Sequence, residues 1–155
     1  MLFRSMNELR NLEISLQDCF KAKCSEKDEF FDLMKTIIKF ELTIDDFQNL
    51  IKSNYQDLEV SRYDTFNDLL NYCKLSANPV GSLVLKIFGD FNETNLKLSN
   101  NICTGLQLIN FIQDINRDSK LGRIYIPLED LNEFNINEND ILNNISSSRS
   151  EEHTS

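Results

Sequence analysis

Gly105–Pro127 reads GLQLINFIQDINRDSKLGRIYIP, and the rest of the chain is organised around it. Asn110, Asp114 and Asp118 recur at every fourth position. Residues four apart lie one above another on an α-helix, so this spacing predicts a single polar stripe. Gln107 falls a turn earlier on nearly the same stripe. Leu106, Ile109, Phe111, Ile112 and Ile115 fill the other positions, so much of this helix is expected to be buried. A carboxylate in apolar surroundings is costly unless a cation or a partner offsets its desolvation. Oxygen ligands alone suit a hard ion such as Mg²⁺, which takes one or two carboxylates plus substrate phosphate oxygens. The same spacing also describes a solvated acidic face on an amphipathic helix. The residues alone leave both readings open.

The chain of 155 residues is about one domain, and 41% hydrophobic content supports a real core. Gly and Pro are scarce at 4 and 2, and the apolar residues follow helical periods, so the fold class is expected to be all-α. The net charge of −9 argues against nucleic acid as a partner, because a phosphate backbone requires a basic face. Cys19, Cys24, Cys73 and Cys103 show neither a CxxC pair nor zinc spacing, which favours a reduced, cytoplasmic setting. No apolar run approaches the ~20 residues of a membrane span.

Leu9, Leu12, Leu16 and Phe20 predict an amphipathic helix over Met6–Lys23, and Ser25–Phe40 repeats the pattern. Asp28 and Asp32 form a second DxxxD there, read as a solvated face. Thr43 with Asp46, and Thr65 with Asp68, have the spacing of capping pairs, opening helices through about Leu58 and over Phe66–Leu75. Asn78-Pro79 breaks the chain and Pro79 starts another helix, which Gly89 ends. Thr94 is the expected cap of the long helix carrying the central stripe. SKLGR then turns, Ile124–Ile126 is extended, and Leu128–Leu131 opens a short helix.

LQLINFIQDINRD followed by GRIYIP resembles the second aspartate-rich motif of the squalene/phytoene synthases, the head-to-head prenyl synthases. A second likeness lies upstream, in Tyr63-Asp64-Thr65-Phe66 and in YCKLSANPVG, Tyr72 to Gly81. Its Ser-Ala-Asn-Pro form is typical of the bacterial hopanoid-pathway branch, the hydroxysqualene or squalene synthase type. The resemblance covers about Met6 to Phe134.

It implies a partial isoprenoid synthase helical fold in which two aspartate motifs hold Mg²⁺ on a substrate diphosphate. Asn110, Asp114 and Asp118 match its metal-ligand positions, and Gln107 a polar residue lining the same site. Tyr72 and Tyr125 match aromatic positions near the cavity. Arg123, Arg62 and Arg117 are candidates for diphosphate contact, because a guanidinium offers paired donors to phosphate oxygens. Ala77 and Gly81 are small enough to let helices approach or to leave room for a prenyl tail. The implied activity is transfer on farnesyl or presqualene diphosphate, of the farnesyltransferase or hydroxysqualene synthase type. Peripheral association with the inner membrane face would serve release of a lipid product. Phytoene synthase, acting on geranylgeranyl diphosphate, is the alternative within the family. A non-catalytic helical interaction protein is the alternative outside it.

The departure is an omission: the first aspartate motif is expected upstream of Met6, and the family's downstream helices are also missing. Arg149–Ser155, RSEEHTS, and Leu2–Ser5, LFRS, resemble translated sequencing adapters. The genuine domain is therefore expected over 6–148 as an inactive piece of a longer enzyme, with the sole histidine, His153, foreign to it. Val80, Leu83, Ile87, Phe111 and Ile115 are expected to be exposed where the missing helices would pack.

Overall fold

The structure, a computed structural model, describes residues 5–142. The adapter-like ends other than Ser5, and His153 with them, lie outside the described residues. The described residues contain no strand and run through α1 Met6–Phe20, α2 Phe31–Lys39, α3 Ile44–Glu59, α4 Phe66–Ser76, α5 Asn78–Phe88, α6 Glu93–Gln113, α7 Ile115–Ser119 and α8 Leu128–Glu133, with residues 138–142 helical as well. The chain forms two compact units. Among the described residues, one joins 5–59 with Tyr72–Thr104, and the other joins Val60–Asn71 with 105–142.

In the first unit α1 packs on α2 and α3, and α3 on α5. The helical spacing of α1 buries Leu9, Leu16 and Cys19, while Met34, Ile37 and Leu42 complete a core cluster with Cys19. Phe20 meets Phe47 edge-on at 5.6 Å, a favoured aromatic geometry. Ser5 caps α1 by accepting the Glu8 N–H. Gly81 is buried, and a Cβ there would run into Ser99 Oγ and Cys103 Sγ. This glycine therefore sets how closely α5 and α6 approach.

Several boundaries differ from expectation for identifiable reasons. α2 starts at Phe31, not near Ser25, because the Asp28 carboxylate accepts from the Ser25 N–H and hydroxyl and folds Ser25–Asp28 into a turn. Asp32 stays on a solvated face, paired with Lys35 at 2.6 Å. Asp46 is drawn to Lys86 at 2.6 Å and to the Ser82 hydroxyl, so its carboxylate links α3 to α5. α6 is capped by Asn92, whose side-chain oxygen accepts the Asn95 N–H, and not by Thr94. Pro79 in the first turn of α5 and Gly89 at φ 75° after its end are as expected. Of the residues expected to be exposed, Val80 and Ile87 are. Leu83 and Ile115 are half-buried, and Phe111 is buried because Tyr125 stacks on it.

In the second unit Thr65 and Asp68 form a full capping box at the start of α4. The Asp68 carboxylate accepts the Thr65 N–H and the Thr65 hydroxyl accepts the Asp68 N–H, both at 3.1 Å. The segment after α7 is tied to the chain that leads into α4: Ile124 N–H donates to the Ser61 carbonyl and Leu128 N–H to the Tyr63 carbonyl. No helix among the described residues is long and apolar enough to cross a membrane.

Candidate active site

The polar stripe sits where α6 gives way to α7. The expected continuous helix is interrupted at Asp114, whose ψ of 4° departs from the helical value. Hydrogen bonding nevertheless carries the register through the break. Asp114 N–H donates to the Asn110 carbonyl at 2.9 Å, and Asp118 N–H to the Asp114 carbonyl at 2.8 Å. Asn110, Asp114 and Asp118 therefore stay stacked at four-residue intervals.

Their environments are graded along the stripe. Asn110 is exposed and Asp114 partly so, while Asp118 is buried at 8% exposure. Burial raises the Asp118 carboxyl above its usual range, and Asp114 adds to the rise, while Arg117 and Arg123 oppose it. Arg117 reaches both acids, with Nη2 at 2.8 Å from Asp114 and Nε at 3.6 Å from Asp118. One cation thus spans both carboxylates. Two carboxylates and an amide oxygen suit a hard divalent ion whose remaining positions go to water and ligand oxygens. They are an incomplete set, and among the described residues no three His, Cys, Asp or Glu side chains converge on one point.

The other candidates divide. Gly122, at φ 76°, reverses the chain after α7, so that Arg123 N–H donates to the Asp118 carbonyl at 2.9 Å and the Arg123 side chain is buried. Arg62 is engaged structurally. Its Nη1 donates to the Ser61 and Gly122 carbonyls at 2.7 Å and its Nε pairs with Glu138, clamping the turn that carries Arg123. Tyr125 stacks on Phe111 at 4.3 Å with the rings nearly parallel. Gln107 is half-buried one turn before the stripe. Tyr72 belongs to the other unit, where it is buried and its hydroxyl donates to Asp57 at 2.7 Å. A cavity of about 630 Å³ in the second unit is lined by Phe66, Leu69, Phe111, Ile115, Tyr125 and Leu131.

One feature was present in the sequence spacing but not read from it. Leu98, Ile102 and Leu106 are 56%, 63% and 57% exposed, and they extend the four-residue series of Asn110, Asp114 and Asp118 backwards. In sequence order, three exposed apolar side chains are followed by the three polar ones.

The profile of squalene/phytoene synthases matches residues 4–153. The chain belongs to the squalene/phytoene synthase family. It is 36% identical over 125 residues to a phytoene synthase of Arthrospira platensis, covering 72% of this chain and 40% of that protein. It is 32% identical to the 15-cis-phytoene synthase of Synechococcus elongatus, covering 73% of this chain and 41% of that protein. Among solved structures, the squalene synthase HpnC of Alicyclobacillus acidocaldarius superposes with a TM-score of 0.84 at 40% identity. That match covers 92% of this chain and 54% of the other. A dehydrosqualene synthase at 22% identity shares the fold, with a TM-score of 0.78. The fold is thus the all-α isoprenoid synthase fold, and the chain spans about two-fifths of those two curated relatives and about half of the solved ones. In this squalene/phytoene synthase segment the four-residue series runs from the end of α6 into α7.

Proposed function

We propose that the longer protein containing this segment is a Mg²⁺-dependent transferase that joins or rearranges prenyl diphosphates on the squalene side of the family. Its substrate is farnesyl or presqualene diphosphate. The observation that carries this reading is the series Asn110, Asp114 and Asp118, two carboxylates and an amide kept at four-residue intervals by backbone hydrogen bonds across the break at Asp114.

In this reading Asn110, Asp114 and Asp118 hold the ion, and Gln107 lines the same site. When bound, the ion would neutralise the diphosphate and stabilise the departing pyrophosphate. Arg117 and Arg123 offer guanidinium donors to phosphate oxygens. Arg62 plays its part through the turn it clamps, because its donors are engaged by Ser61, Gly122 and Glu138. Tyr72 and Tyr125 are proposed as the aromatic groups that steady an allylic cation, Tyr72 with its hydroxyl fixed by Asp57. The 40% identity to a squalene synthase supports the squalene-side assignment. The phytoene synthases among the curated relatives favour geranylgeranyl diphosphate as the second reading.

The test is a product assay on the full-length protein with Mg²⁺ and each diphosphate in turn. The proposal expects presqualene diphosphate or squalene from farnesyl diphosphate, or hydroxysqualene or squalene from presqualene diphosphate. Product formed solely from geranylgeranyl diphosphate would establish the second reading, and no product from any of the three diphosphates would leave the helical interaction protein.

A further inference from the structure

Outside the stripe, the end of α1 brings together two thiols that the proposed chemistry does not use. Ala22 N–H donates to the Cys19 carbonyl at 3.1 Å and Lys23 N–H to the Asp18 carbonyl at 2.9 Å. Ala22 lies in the left-handed region at φ 53°. Such a left-handed helix ending turns the chain back, and a residue beyond the cap then rests against the last helical turn. Here the returning residue is Cys24, and its Sγ stands 3.2 Å from Cys19 Sγ. Cys19 is 1% exposed, in the core with Met34, Ile37 and Leu42, and Cys24 packs on the edge of that cluster with Phe30. The two sulfurs need to close by only about an ångström to reach the ~2.05 Å of a disulfide. The other thiols are placed differently: Cys73 is fully buried, and Cys103 lies beside the Ser99 hydroxyl.

We propose that Cys19 and Cys24 form a selective dithiol–disulfide couple that fastens the end of α1 to the chain entering α2, with a small disulfide of the glutathione class as oxidant. The half-buried Cys24, as thiolate, attacks one sulfur of the small disulfide and expels one thiolate. Cys19 then gives up its proton and attacks the Cys24 sulfur, expelling the second. The two protein thiols lose two protons and two electrons, and the small disulfide leaves as two thiols. Burial with the neighbouring Cys24 pushes the Cys19 thiol up to about 12. The reduced pair therefore gains little from ionising, which favours the bonded form once the second step has occurred.

The experiment equilibrates the 155-residue chain in a series of reduced and oxidised glutathione mixtures, quenches with acid and alkylates. Tryptic cleavage at Arg10, Lys21, Lys23 and Lys27 places the two cysteines on separate peptides. The expected result is a linked pair of Asn11–Lys21 with Cys24–Lys27, while Cys73 and Cys103 remain alkylated. The equilibrium constant for the link should fall by at least about tenfold in urea, since the fold supplies the proximity. Cys24→Ser should abolish the link and leave the chain folded, and the oxidised chain should melt a few degrees higher than the reduced one. Equal constants in buffer and urea would overturn the proposal. So would Cys24 held as a stable glutathione adduct, or bridged to Cys73 or Cys103.

Discussion

Arg117 lies 2.8 Å from Asp114, three residues before it, and its guanidinium also reaches Asp118 at 3.6 Å. The pair is two-thirds exposed on the arginine side, so it is screened and weak, at about 0.5–1 kcal/mol. It still competes with any cation entering between the carboxylates.

Arg117→Gln is therefore expected to raise the affinity of the chain for Mn²⁺ roughly two- to fivefold, the equivalent of losing that weak ion pair. Titration calorimetry with Asp114→Asn as the control checks this. Lower affinity in Arg117→Gln would mean that the arginine orders the carboxylates and does not compete for them.

Asp118 makes a pH prediction. Its folded carboxyl is raised from 3.8, chiefly by burial. The stability this group contributes is thus fully present below 3.8 and is lost as pH rises through the folded value. Asp118→Asn removes that loss. The variant should match the parent chain in acid and become progressively more stable than it towards neutral pH. Urea unfolding of both across that range is the measurement, and a difference that stays flat would show that burial does not penalise the Asp118 charge.

Two glycines separate helix propensity from packing. Gly105 lies within α6 with open space where a Cβ would be, so Gly105→Ala should stabilise by up to about 1 kcal/mol. At Gly81 the same gain is outweighed, because the new methyl meets Ser99 Oγ and Cys103 Sγ. Gly81→Ala should destabilise by about 1–2 kcal/mol net. Thermal melts of the two variants should move in opposite directions.

Local chemistry was legible in the sequence wherever one residue dictated it. The Thr65–Asp68 box, Pro79 at the start of α5 and Gly89 at its end all act on their own few residues. The reading failed where a distant partner claimed a side chain. Asp46 had the spacing of a cap, but Lys86 and Ser82 hold it. Arg62 looked free for phosphate, but Glu138, far along the chain, holds its Nε. The proximity of Cys19 and Cys24 depends on a left-handed residue at Ala22, which spacing does not announce. The four-residue stripe survived because backbone hydrogen bonds preserve its register across the break at Asp114.

The most direct test of the metal and diphosphate site is turnover of the full-length protein carrying Asp114→Ala or Asp28→Ala. Each residue opens a DxxxD, but Asp28 is exposed and caps a local turn with Ser25. The account predicts that Asp114→Ala lowers kcat by orders of magnitude with little change in melting temperature, while Asp28→Ala leaves kcat unchanged. Comparable loss in the two variants, or full activity in Asp114→Ala, would contradict it.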